Sequence, residues 1–384
     1  MQALALLFKL LQSLDKKEIQ MAKGFSLETY PWVYTAKYNE GNDWSEEYIE
    51  NPHKTPEEEA GLSSDEYTAL LASRNSFPQL PLVNYTTQYG MGCFEGLKAF
   101  PQKNGSLKLF RPDENAARMN RSMKGLMMPP FPEDKFLKAC KEVVRLNSGC
   151  GFRPDYDENW EKDNYITGHS IYLRPFTYSE PAIGLNISEH PWLVIVATPV
   201  GAYFAPGNSK AAVTERFRAT RNGTGWIKCS ANYVIPILAK KEAVLNGYME
   251  AIFLDAAEQK YVEEGSSCNI FFKMKNGDLV TPELGDTILP GINRKSIITL
   301  AGDLGVNVEE RKVAIEEVMS EAVETFVTGT AAGVSYIESI TYKEKTAVFN
   351  NGRQGELTSE LQKLLKAIQY GATADNRGWM VDIN

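Results

Sequence analysis

Histidine is scarce in this chain: His53, His169 and His190 are the only three in 384 residues. None forms an HExxH motif or a cluster, which removes most zinc hydrolases and argues against a His-based catalytic triad. The five cysteines, Cys93, Cys140, Cys150, Cys229 and Cys268, are odd in number, widely spaced and free of any CxxC pair. Neither a disulfide framework nor a zinc ribbon is readable from them, so no metal is expected and a reducing cytoplasm is the expected compartment. Long apolar runs are also missing. The most apolar stretch, Ala3 to Phe8 in MQALALLFKLLQSLDKKEIQ, is six residues long, against the roughly 18 to 20 needed to span a bilayer. With no basic n-region and no small-residue cleavage site, this segment reads as an amphipathic leader helix over residues 1–23 rather than a signal peptide. Finally, positive charge is in deficit, 41 basic against 49 acidic side chains for a net −8. That balance disfavours nucleic acid as a partner, because phosphate backbones are bound by clustered Lys and Arg.

What remains is an ordinary globular composition, 43% apolar with 29 Gly and 19 Pro, in a chain long enough for two domains. Residues 24–200 alternate strand-like segments (Trp32 to Tyr38, Leu107 to Arg111, Ser170 to Tyr178, Trp192 to Thr198) with helices at Glu114 to Met127 and Pro132 to Leu146. Residues 41–78 are polar and acidic and read as a surface insertion with one short helix. The segment GAYFAPGNSK, residues 201–210, reads as the connection to a second domain over 211–384. There a helix from Asn232 to Asn246 stops at Gly247, a glycine cap. Strands follow at Ala251 to Leu254, Lys260 to Glu263, Asn269 to Met274 and Leu279 to Thr281, then a helix from Asn293 to Leu304. Strand signals return at Thr325 to Val327 and Ser335 to Tyr342, and a last helix, Leu357 to Gln369, precedes a polar tail.

Four short segments carry the chemistry. In GTGWIKCSANY, Lys228 follows a Gly-Thr-Gly turn and stands just before a helix, where dipole and burial favour the neutral amine that makes a Schiff base. In YVEEGSSCNIFF, a strand ends in two glutamates, and a fixed carboxylate there can pair with a protonated ring nitrogen. In TILPGINRKSI, Pro290 and Gly291 lead into a helix whose free backbone N–H groups make an anion site. In VTGTAAG, Thr330 lies in a turn of small residues that lets backbone approach a ligand. Each segment alone is commonplace: a loop lysine, a solvated strand end, an ordinary helix start.

Together, in this order, they resemble the fold-type IV pyridoxal phosphate aminotransferases, and among them the branched-chain aminotransferases. The segments YGMGCFEGLKAF, LFRPDENAARMNRSM and IYLRP add to the resemblance, which covers the chain from about Phe25 to its end. It implies an α/β architecture, an α+β small domain and a mixed-sheet large domain with the active site between them. It also implies pyridoxal 5'-phosphate as cofactor, a homodimer, and ping-pong transfer between branched-chain L-amino acids and 2-oxoglutarate.

Position by position, the resemblance makes Lys228 the Schiff-base lysine and proton shuttle. Glu264 becomes the partner of the pyridine nitrogen, with Glu263 pointing the opposite way, and Tyr233 the phenol that bonds the cofactor's 3-oxygen. Arg118, Thr330 and the backbone N–H groups of Ile292 and Asn293 form the phosphate cup, and Ser267 supplies a hydroxyl near the cofactor. Tyr89, Phe94, Tyr172 and Tyr203 surround the substrate, with Phe25 a further candidate. Arg174 receives the distal carboxylate of glutamate, and the Ala331 N–H receives the α-carboxylate. Ala332 and Ser335 replace the CxxC pair of some animal members, so that thiol switch is expected to be missing. EGSSCNIF by itself also fits a D-amino-acid transaminase or an aminodeoxychorismate lyase; Tyr172-Leu173-Arg174 and FEGLKAF favour the branched-chain reading. A non-catalytic cofactor-binding protein that kept the fold is the remaining alternative.

Overall fold

The computed structural model describes residues 28–201 and 208–383. The leader over 1–23, Phe25 and Tyr203 lie outside the described residues, as does most of the expected connection.

Alternating apolar side chains fold the first part of the chain into a seven-stranded antiparallel sheet. Its spatial order is Met380–Asp382, Leu107–Phe110, Leu97–Pro101, Ser170–Tyr178, Trp192–Val200, Trp32–Tyr38 and Trp44–Glu50. Two amphipathic helices, Pro112–Gly125 and Glu133–Gly149, bury Met119, Met123, Phe136, Val143 and Val144 in a core shared with Tyr34, Leu97, Leu173 and Ile195 of the sheet.

The second part builds two five-stranded mixed sheets. One runs Val308–Glu310, Leu279–Thr281, Asn269–Met274, Ala322–Gly329, Gly333–Tyr336; the other runs Lys345–Val348, Ser339–Tyr342, Lys210–Val213, Glu250–Leu254, Val262–Gly265. Ile252, Ile270, Phe272, Val327 and Ile340 share a core drawn from both sheets. The expected α+β plus mixed-sheet architecture is therefore present.

Several expected elements change. The insertion at 41–78 contains an edge strand, Trp44–Glu50, and two helices, Pro56–Ala60 and Ser64–Arg74, not one short helix. Its acidic strand escaped notice because only Trp44 in it is buried. Thr55 and Ser63 start the two helices through capping boxes with Glu58 and Glu66, so part of the acidic run serves as caps. The single strand read at Ser335 to Tyr342 is two. Ile337 donates its N–H to Thr325 and Glu338 to Ser209, so the chain passes from one sheet to the other between them. The polar tail is not loose: Met380–Asp382 returns to pair with Leu107–Phe110 in the first sheet.

Candidate active site

Lys228 is placed by the junction of the two parts. Phe94 and Ser230 donate N–H groups to the carbonyls of Lys228 and Gly92, and the Lys228 N–H donates to Ser122 Oγ at 3.0 Å. A 3-10 turn, Ser230–Tyr233, then leads into the helix Val234–Leu245 and swings Tyr233 back over the lysine. Lys228 Nζ donates to Tyr233 Oη at 2.8 Å and lies 4.7 Å from the centre of the Phe94 ring. The amine opens into a cavity of about 660 Å³ lined from both halves of the molecule, within the size range of small-molecule sites.

Opposite the lysine, Val262–Gly265 sends Glu263 and Glu264 to different sides, as alternation along a strand requires. Glu264 lines the cavity. Its carboxylate accepts from Asn269 Nδ2 at 3.1 Å and the Leu289 N–H at 3.3 Å, and Arg218 Nε stands 2.7 Å from Oε1, bent off the N–H axis. Burial pushes the Glu264 carboxyl up to about 7, against the pull of the Arg218 charge. Arg218 is itself fixed by the carbonyls of Gly225 and Thr287.

At the far end, the helix Ile292–Asp303 begins at Gly291 with no side-chain cap, and Ile292 and Asn293 both line the cavity. Its first N–H groups are thus available to an anion. A Cβ on Gly291 would stand 2.0 Å from Asn269 Oδ1, so only glycine lets the helix start this close to the Glu264 network. Asn293 Nδ2 donates to the Gly329 carbonyl at 2.8 Å and ties the helix start to the turn holding Thr330 and Ala331. Arg118 reaches the same corner from the helix Pro112–Gly125. Its guanidinium grips Glu95 through two bonds of 2.7 and 2.8 Å and donates to the Pro290 carbonyl at 3.2 Å. Burial works to raise the Glu95 carboxyl, but the Arg118 charge and hydrogen bonds outweigh it, so it titrates below the usual range.

Phe94, Tyr172 and Arg174 line the cavity as a group. Arg174 donates to Tyr172 Oη at 3.0 Å and lies over the Phe94 ring, 4.8 Å from its centre. A Cβ on Gly96 would stand 2.1 Å from Tyr172 Oη, which is why the FEGLKAF segment needs glycine there. Lys98, two residues on, is buried with Nζ 3.5 Å from the Ala331 carbonyl. Burial, with repulsion from Lys366, pushes that amine down to about 7.

The structure therefore gathers Lys228, Arg118, Tyr233, Glu264, Ser267, Ile292, Asn293, Thr330, Phe94, Tyr172, Arg174 and Ala331 around one cavity. Tyr89 stands apart, exposed at the end of the helix Tyr85–Tyr89 and outside the lining. Sequence reasoning missed Arg218, Glu95 and Asn269. The Glu in FEGL and the Asn in SSCN sat inside quoted motifs, but nothing in their spacing tells a buried partner from a surface residue.

A lysine, a buried acid and an uncapped helix start around one cavity suit a phosphorylated cofactor with a cationic ring. Residues 92–340 match the family model for class IV amino-transferases. A probable branched-chain-amino-acid aminotransferase from Staphylococcus aureus is 40% identical over 76% of this chain and 81% of its own length. Branched-chain-amino-acid aminotransferase 2 of Bacillus subtilis is 38% identical over 77% and 80%. Among solved structures, the T.th. branched-chain amino acid aminotransferase complexed with N-(5'-phosphopyridoxyl)-L-glutamate superposes with a TM-score of 0.67 at 28% identity, covering 81% of this chain and 95% of the other. The chain belongs to the class IV aminotransferases and, within them, to the branched-chain-amino-acid aminotransferases.

Pyridoxal 5'-phosphate is the cofactor of this class, and the residues present fit it. The uncapped helix start and Arg118 suit a phosphate, the buried Glu264 suits a ring N–H, and Ser266 Oγ in the lining is buried without a hydrogen-bond partner among the described residues.

Proposed function

We propose that the enzyme transfers the amino group of L-leucine, L-isoleucine or L-valine to 2-oxoglutarate, giving branched-chain 2-oxo acids and L-glutamate by a ping-pong mechanism. The observation that carries this reading is the Lys228 amine, held by Tyr233 in a cavity that also presents Glu264 and Arg174. When bound, pyridoxal phosphate supplies an electron sink for the pair left at the substrate Cα.

The chain's own residues do the rest. Lys228 Nζ holds the cofactor and, once displaced by the substrate amine, takes the Cα proton and returns it one carbon away. Tyr233 Oη keeps that amine oriented. Glu264, kept partly ionised by Arg218, balances positive charge on the ring side. Arg118, the N–H groups of Ile292 and Asn293, and the Thr330 hydroxyl hold the phosphate, while Ser267 faces the cofactor and the Ala331 N–H receives the α-carboxylate. Phe94 and Tyr172 offer an apolar wall to a branched side chain. Arg174, beside them, receives the second carboxylate of glutamate and 2-oxoglutarate. Arg174→Ala should therefore raise KM for 2-oxoglutarate at least tenfold while changing KM for L-leucine little; equal losses would make the arginine structural.

The same reading places the enzyme in the cytoplasm as a homodimer. Val234, Ile237, Leu238 and Val244 are exposed along one helix, an apolar surface suited to a second copy. Tyr89, outside the lining of its own cavity, is then assigned to the partner's, which sedimentation of the purified protein and Tyr89→Phe kinetics would check. Among the described residues no helix is long and apolar enough to cross a membrane. Initial rates with L-leucine and D-alanine test the substrate assignment. Turnover of L-leucine is expected, and activity confined to D-alanine would overturn it.

A further inference from the structure

The acidic insertion has no part in the transaminase site, yet one end of it meets the end of a core helix in an arrangement of its own. Glu50 closes the strand Trp44–Glu50, His53 lies three residues on, and Cys150 follows the helix Glu133–Gly149 about a hundred positions later. Their ligand atoms lie within 4.8 Å of one another, and His53 Nε2 is 3.8 Å from Glu50 Oε1. None of the three lines the Lys228 cavity.

We propose that Glu50, His53 and Cys150 form a zinc site that fastens the insertion to the helix Glu133–Gly149, with water completing the coordination. Three features support it. The first is the histidine tautomer. His53 Nδ1 is 3.2 Å from the carbonyl of Asn51, a buried residue. A carbonyl only accepts, so Nδ1 carries a hydrogen, and the other ring nitrogen, Nε2, is the one beside Glu50. Metal-bound imidazoles are oriented in this way, through a bond from the other ring nitrogen.

The second is the donor set. Thiolate, imidazole and carboxylate together suit zinc rather than magnesium or calcium, which take oxygen ligands. Tetrahedral zinc with bonds of about 2.0–2.3 Å holds its donor atoms roughly 3.3–3.6 Å apart. The imidazole and carboxylate are already close to that spacing, and Glu50 is exposed enough to adjust. Cys150 is the one cysteine of the five that is not buried, and its thiol has no hydrogen-bond partner among the described residues.

The third is the scaffold. Gly151 takes a left-handed φ of +87°, and a Cβ there would stand 3.2 Å from Pro56 Cγ. Glycine thus lets the helix end lie against the insertion. The His53 ring packs edge-on to Phe152 at 5.9 Å, which fixes its plane. Arg74 lies over the same Phe152 ring but is neutralised by a buried ion pair with Glu59. It does not leave an uncompensated positive charge beside the site.

No metal is expected from the sequence, which holds no HExxH motif, histidine cluster or CxxC pair; these three ligands come together only in the fold. The test uses the holoenzyme freed of adventitious metal with a chelator and titrated with Zn²⁺ and, separately, Co²⁺. Wild type should bind one Zn²⁺ per chain and gain thermal stability. The Co²⁺ form should show a thiolate charge-transfer band in the near ultraviolet. Cys150→Ser should lose that band, and both Cys150→Ser and His53→Ala should bind Zn²⁺ at least about tenfold more weakly, with transaminase activity retained. Circular dichroism establishes that the variants fold. Absence of saturable binding, absence of the thiolate band in wild type, or binding undiminished in both variants would overturn the proposal, whatever the outcome for the transaminase reading.

Discussion

At the scale of single residues, the site turns on which charges are compensated. Glu264 and Glu95 are both buried carboxylates, but their partners differ in quality. Glu95 receives two aligned bonds from Arg118 and one from Asn115, and is held ionised. Glu264 faces Arg218 at a bent angle and rises to about 7. A neighbouring cation favours the charged form, so removing Arg218 must raise Glu264 further. Arg218→Ala should accordingly move the acid limb of the kcat/KM profile to higher pH, with a loss of at least about tenfold near pH 7 that narrows at pH 8.5. A uniform loss with an unmoved limb would show that Arg218 acts only through packing.

At the scale of elements, most helices and strands were legible and their connections were not. Trp32–Tyr38, Ser170–Tyr178, Asn269–Met274 and Leu279–Thr281 appear with the bounds expected, because alternation or a turn at Asn276-Gly277 marks them. The strand Lys210–Val213 is not legible in the sequence, where only its first residue falls in the expected connection, since its four residues hold no pattern and their pairing with Glu250–Leu254 and Ser339–Tyr342 comes from far along the chain. Likewise the site's lysine, acid and helix start could be read from motifs, whereas Arg218 could not, because its role exists only once Glu264 is folded beside it. One element-scale consequence concerns the start of the helix Ile292–Asp303. Gly291→Ala would drive a methyl into Asn269, which also holds Glu264 and the Leu289 carbonyl. Overpacking of this kind costs about 1–3 kcal/mol. The affinity for pyridoxal phosphate should fall at least tenfold, measured by fluorescence titration of the cofactor-free protein; unchanged affinity would show that the helix start does not shape the cup.

At the scale of the whole molecule, the strand Met380–Asp382 and Arg111 help hold the two parts together. The strand Met380–Asp382 closes the first sheet after the chain has built the two mixed sheets. Trp379, just before it, accepts the Arg111 N–H through its carbonyl at 2.7 Å and stacks under the Arg111 guanidinium at 4.8 Å. Arg111 Nη1 in turn donates to Ser296 Oγ of the cofactor-side helix at 2.7 Å. Trp379→Ala should cost about 3–5 kcal/mol, seen as a lower denaturant midpoint, and should loosen cofactor binding through Ser296. In the proposed reaction a lysine and a cofactor held between these parts do the work, in a chain with little histidine and no paired cysteine. The most direct measurement of that claim is the visible absorbance of the purified enzyme reconstituted with pyridoxal phosphate, before and after L-leucine, for wild type and Lys228→Ala. Wild type should be yellow and bleach on adding L-leucine, and the variant should fail to turn over. A protein that cannot be reconstituted, or a variant that turns over as wild type does, would contradict the account.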